Sequence, residues 1–107
     1  MEIIKAEEYQ EKIASGFVLV DFFAAWCEPC KLLQRQLSEL SGQFEQLKIY
    51  QIDVETAGEL IRQLKVISLP TMLLYKDGDL LKEINGYYPS SVLKKLLTVY
   101  LNSENTD

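Results

Sequence analysis

Two cysteines and no histidine occur in this chain. Both cysteines lie in one segment, Trp26-Cys27-Glu28-Pro29-Cys30-Lys31, three positions apart. Thiols at this spacing are close enough to bond to one another, so they can exchange with a disulfide in another molecule. The thiolate is the attacking species, so this chemistry requires a position that lowers a thiol pKa. A second thiol within reach then resolves the mixed disulfide and leaves the pair oxidised.

Three other readings of the pair stay open on the residues alone. A structural disulfide would constrain the unfolded chain little, because so short a loop contributes only about 2 kcal/mol in the entropy model. A zinc site usually takes four Cys or His ligands. This chain has two Cys and no His, so carboxylates or a second chain would have to complete the set. Two unrelated buried thiols are the third reading. What favours exchange is the position of the pair, where an apolar run gives way to a helical pattern.

That position depends on the neighbouring elements. Phe17–Phe23 is apolar on both faces except at Asp21, the signature of a central strand covered on both sides. Beyond the cysteines, Leu33, Leu37, Leu40 and Phe44 recur at helical spacing and predict one long helix. Cys27 falls at its start, where unpaired backbone N–H groups and the positive end of the helix dipole favour a thiolate. Pro29 suits the first turn, where its missing N–H costs nothing. Asp21 stands six positions before Cys27. If it is buried without a cation, its carboxyl pKa rises toward neutrality, which suits a proton-transfer group. The alternative is an aspartate at a strand edge reached by solvent.

The remaining elements follow from periodicity and turn chemistry. Ala6, Tyr9 and Ile13 mark a first helix that Gly16 stops. Residues 48–54 read as a strand. Thr56 with Glu59 predicts a capping box for a short helix carrying Leu60, Ile61 and Leu64. Residues 70–76 and Asp79–Asn85 read as strands joined by an Asp77-Gly78 hairpin turn, with Gly86 ending the second. Pro89-Ser90-Ser91 opens a last helix whose Val92, Leu93, Leu96, Leu97, Tyr100 and Leu101 are expected to face inward. The order β-α-β-α-β-α-β-β-α is an α/β fold: a central mixed sheet with helices on both faces.

With 107 residues, the chain is expected to form a single domain over 1–107, with a flexible tail at 102–107 that has no apolar anchor. The net charge of −5 and the lack of any Lys/Arg block disfavour a nucleic-acid surface. No apolar run is long enough to span a membrane. Met1-Glu2-Ile3-Ile4-Lys5 does not resemble a signal peptide, so a reducing cytoplasm is the expected location and reactive thiols are expected over stapling ones.

The sequence resembles the thioredoxin family over nearly its whole length. The match is carried by Val20-Asp21-Phe22-Phe23-Ala24-Ala25-Trp26-Cys27-Glu28-Pro29-Cys30-Lys31, then Leu69-Pro70-Thr71, Lys76-Asp77-Gly78 and Gly86, in that order. The resemblance implies the thioredoxin fold and a protein-disulfide reductase that needs no cofactor beyond its own dithiol. It implies that Cys27 is the nucleophile, Cys30 the resolving thiol and Asp21 the acceptor of the Cys30 proton. It further implies that Pro70 is a cis-proline facing the disulfide, that the Leu69 backbone pairs with a client peptide, and that Trp26 flanks the site. Gly86 would leave room for the client. The implied partners are a thioredoxin reductase and disulfide-containing client proteins, met by a monomer.

The chain departs from the family pattern at three places. Glu28 stands where glycine is usual, and a carboxylate there is expected to disfavour the Cys27 thiolate and make the couple slightly more reducing. Arg35 replaces a frequent proline, so a straighter helix is expected. Ile49 takes the place of a lysine that often accompanies the buried aspartate, while alternation sends Lys48 to the other face. Tyr87-Tyr88 fits either a client surface or packing at the rim.

Overall fold

A computed structural model describes residues 1–105. The strands are β1 (Glu2–Ile3), β2 (Phe17–Phe23), β3 (Leu47–Asp53), β4 (Thr71–Lys76) and β5 (Asp79–Asn85). The helices are α1 (Tyr9–Ile13), α2 (Glu28–Leu40), α3 (Gly58–Leu64) and α4 (Ser90–Asn105), with 3-10 turns at Ala6–Glu8 and Val54–Thr56. The expected α/β order is the observed one.

The five strands form one mixed sheet in the order β1-β3-β2-β4-β5. β1, β3 and β2 run parallel, and β4 and β5 are antiparallel to their neighbours. β2 is therefore central, and its apolar character on both faces follows from burial on both sides. Val18, Val20 and Phe22 pack with Tyr9, Ile13, Tyr50, Ile52 and Leu60 beneath α1 and α3. Phe17 and Leu19 pack on the opposite face with Leu33, Leu37 and Leu40 of α2 and Leu93, Leu97 and Leu101 of α4.

The hairpin turn at Asp77-Gly78 has positive φ at both positions, 50° and 87°, the conformation that Asp-Gly supplies most readily. Asp77 also ties this turn to the loop that ends α1. Its N–H donates to Gly16 O (3.0 Å), and its Oδ1 accepts from Gly16 N–H (2.7 Å).

Several local expectations are corrected. Thr56 and Glu59 form no capping box: α3 starts after Ala57 with no side-chain cap, and Thr56 Oγ1 instead donates to Asp53 O (3.0 Å). Local hydroxyl-to-backbone bonding has won over the cap. α2 stops at Leu40, so Phe44 packs half-buried beyond the helix end. Within α2, Arg35 sits in an uninterrupted helix. Val92 is exposed, because the buried stripe of α4 is Leu93, Leu97 and Leu101. α4 spans Ser90–Asn105 and so includes Asn102–Asn105. The last two, Thr106 and Asp107, lie outside the described residues.

Candidate active site

β2 ends at Phe23, and a short turn at 24–26 delivers the chain to α2. Cys27 is the N-cap of that helix, with extended backbone (φ −91°, ψ 108°). Its N–H donates to Ala24 O (3.1 Å) and its Sγ accepts from Cys30 N–H (3.3 Å). The sulfur thus takes up one of the backbone donors that a helix start leaves unpaired, the arrangement that stabilises negative charge on it. Pro29 is the second residue of α2, where no helical hydrogen bond is lost. Cys27 and Cys30 are joined as a disulfide, with their Cα atoms 5.2 Å apart.

The two sulfurs have different surroundings. Cys27 lines an open groove of about 620 Å³, together with Trp26, Glu28, Pro29, Val54 and Ile61, and with residues 66–69. Cys30 does not line it; it is 2% exposed and packs inward with Ala24. Trp26 stands 67% exposed on one wall, and Ile67 is 93% exposed on the other.

The loop 66–69 is held from beneath. The Leu69–Pro70 peptide is cis, as the resemblance implied. Leu69 is half-buried and packs against the cluster of Ala24, Cys27 and Cys30. Pro70 is buried and does not itself line the groove. Its carbonyl accepts from Gly86 N–H (2.8 Å), and Thr71 Oγ1 donates to Ser68 O (2.6 Å). At Gly86 the backbone lies at φ +91°, where glycine is favoured, and a Cβ there would meet nothing within 4 Å.

Asp21 is fully buried in the central strand, which removes the reading of a solvent-reached edge residue. It shares a face of β2 with Leu19 and Phe23 by strand alternation. Phe23 packs against the Cys27 and Cys30 cluster, so Asp21 lies on the face that the disulfide covers. Its Oδ2 accepts from Gln51 Nε2 (3.0 Å), and its Oδ1 has no hydrogen-bond partner among the described residues. Burial pushes the carboxyl up to about 6, and the Gln51 hydrogen bond pulls in the opposite direction.

Two groups of residues escaped the sequence reading. Gln51, directly opposite Asp21 in the β2–β3 register, is the partner; Ile49 pairs with Leu19, one step further down the same face. The signal was the alternation in β3 itself, which puts Gln51 and Ile49 on one side. The groove wall of Val54, Ile61, Val66, Ile67 and Ser68 was also missed. The apolar Val66-Ile67 pair in a short connection just before Leu69-Pro70 was the available hint.

Among the described residues, no group of three or more His, Cys, Asp or Glu side chains is placed to hold a metal ion. No helix among them is long and apolar enough to cross a membrane.

The family model described as Thioredoxin matches residues 1–99. The chain is 35% identical to the thioredoxin of Chlamydia trachomatis over 98 residues, covering 92% of this chain and 96% of that protein. It is 36% identical to the thioredoxin of Bacillus subtilis over 104 residues, covering 94% of this chain and all of that protein. Among solved structures, Plasmodium falciparum thioredoxin superposes with a TM-score of 0.86 at 30% identity, over 94% of this chain and 99% of that one. Oxidised mitochondrial thioredoxin 3 of Saccharomyces cerevisiae gives 0.80 at 28% identity, over 89% and 92%. On these similarities the chain belongs to the thioredoxin family, and it is a thiol–disulfide oxidoreductase whose redox group is its own Cys27–Cys30 pair.

Proposed function

We propose that this chain, as a single-domain monomer in the cytoplasm, reduces disulfides in client proteins through a nucleophilic Cys27 and a resolving Cys30. The observation that carries the assignment of roles is the asymmetry of the pair: Cys27 lines the groove and Cys30 does not.

The Cys27 thiolate attacks one sulfur of the client disulfide. A Cys27–client disulfide forms, and the other client sulfur leaves as a thiolate that takes up a proton. Cys30 then gives its proton to Asp21, and its thiolate attacks Cys27 Sγ. The Cys27–Cys30 disulfide closes, and the second client sulfur leaves as a thiolate that takes up the proton from Asp21. Two electrons and two protons pass to the client, and a thioredoxin reductase restores the dithiol by returning two electrons. A carboxyl near pKa 6 suits a group that accepts a proton and returns it at neutral pH. Trp26 and Leu69 flank the reacting sulfur, the Leu69 backbone offers pairing to an extended client segment, and Pro70 and Gly86 hold that loop in place.

Insulin-disulfide reduction with dithiothreitol tests this directly. Turnover by the native chain that disappears in Cys27→Ser is expected. Absence of turnover by both would overturn the reading in favour of a binding module built on this fold.

A further inference from the structure

Ten residues line the groove at Cys27, and Glu28 is the only charged one among them. The others are apolar except for Ser68, with Trp26 and Ile67 standing exposed on opposite walls. Glu28 is also the residue that follows the reacting cysteine and opens α2, so it stands at the edge of the groove beside the reacting sulfur. Its side chain is 78% exposed.

The charges nearby leave Glu28 able to act outward. Lys31 pairs with it at 3.0 Å, but that lysine is 53% exposed and does not line the groove. An exposed pair of this kind is weak and opens readily. On α3, which supplies Ile61 to the groove, Glu59 and Arg62 pair with one another at 4.0 Å, and neither lines it. A net charge of −5 adds a general attraction for cationic partners.

We propose that Glu28 makes this groove selective for client segments that carry a lysine or arginine beside the reacting cysteine, with apolar residues around it. The inference rests on the reading of the groove as the client site. In the mixed disulfide the client cysteine is held within a few ångströms of Cys27, so a cationic neighbour falls within reach of the Glu28 carboxylate. There it displaces Lys31 and is held against an apolar wall. An acidic neighbour meets like charge instead.

The test uses disulfide-linked peptides that differ only in having Lys, Gln or Glu next to the cysteine, reduced by the native chain and by Glu28→Gln. The quantity read is the ratio of kcat/KM for the Lys peptide to that for the Glu peptide. Any effect of Glu28 on Cys27 reactivity is common to all peptides and cancels, and the peptides' own thiol acidities are the same in both proteins. The ratio should fall by about two- to fivefold in Glu28→Gln at low salt, the range expected for an exposed ion pair. It should converge with that of the native chain as ionic strength approaches 1 M. Lys31→Met, which frees Glu28, should raise it. Equal ratios in native and Glu28→Gln proteins at low salt overturn the proposal while leaving the reductase intact. A native chain that reduces none of the peptides and no insulin overturns the functional reading itself.

Discussion

Gln51 donates a 3.0 Å hydrogen bond to one oxygen of Asp21, and the other oxygen, buried on the same side, has no partner among the described residues. The two carboxyl oxygens are thereby made unequal. Oδ2 is engaged as an acceptor, so the proton of the neutral acid belongs on Oδ1.

This environment sets a pH dependence of stability with a definite sign. Asp21 has its pKa raised from 3.8 to about 6 on folding, chiefly by burial. The stability it supports is fully present below its unfolded pKa and is lost as pH rises through the folded value. Asp21→Asn should therefore be more stable than the native chain at pH 8, by up to about 3 kcal/mol. At pH 4 the advantage should vanish. Urea unfolding of the oxidised proteins at the two pH values measures this, and an equal difference at both would contradict it.

Gln51 restrains the rise, since its hydrogen bond favours the ionised carboxylate. Gln51→Leu should move the Asp21 midpoint above 6 by about one pH unit, the size expected for losing a hydrogen bond to a charged group. Carboxyl NMR gives the midpoint, and the acid limb of the pH–rate profile should follow it. A midpoint that stays in place would show that Gln51 only fills space.

Glu28 bears on the redox couple as well as on clients. A carboxylate next to Cys27 destabilises its thiolate, so Glu28→Gly should make the couple less reducing. An exposed charge at that distance corresponds to a rise in potential of about 5–20 mV. The Lys31 pairing at 3.0 Å places the effect toward the small end. Equilibration against glutathione reads the shift, and a potential that is unchanged or lower counts against it.

On the opposite face of the sheet, the hydroxyls of Tyr9 and Tyr75 are hydrogen-bonded to one another within the core, their rings edge to face. Burial raises the pKa of both, so neither ionises in the physiological range. Tyr9→Phe strands a buried hydroxyl on Tyr75 and should cost about 1–3 kcal/mol. Adding Tyr75→Phe should recover part of that loss, because no polar group is then left unsatisfied. Strict additivity in a double-mutant cycle would show that the bond contributes nothing.

The sequence carried most of the scaffold, because hydrophobic periodicity and turn chemistry are local signals. β2 was legible from its unbroken apolar run, β5 from the Asp77-Gly78 turn before it, and the N-cap position of Cys27 from where strand gave way to helix. Failures arose where a local rule competed with a neighbour. Thr56 bonded back to Asp53 rather than capping α3. Helical spacing carried the expected α2 out to Phe44, although the helix ends at Leu40. The groove wall was hidden for a different reason. Val54, Ile61 and Ile67 come from three separate segments, and only the folded topology brings them to one disulfide. Gln51 was obscured in the same way, since its partner lies 30 positions away on another strand.

Asp21, Cys27 and Cys30 precede Gln51, Leu69 and Gly86 in the chain, yet β3 and β4 are the strands that flank β2 and bury the aspartate. A chain that stopped short of β3 would carry both thiols with neither the groove nor the burial of Asp21. The groove is complete only once residues 66–69 have joined Cys27 in the fold.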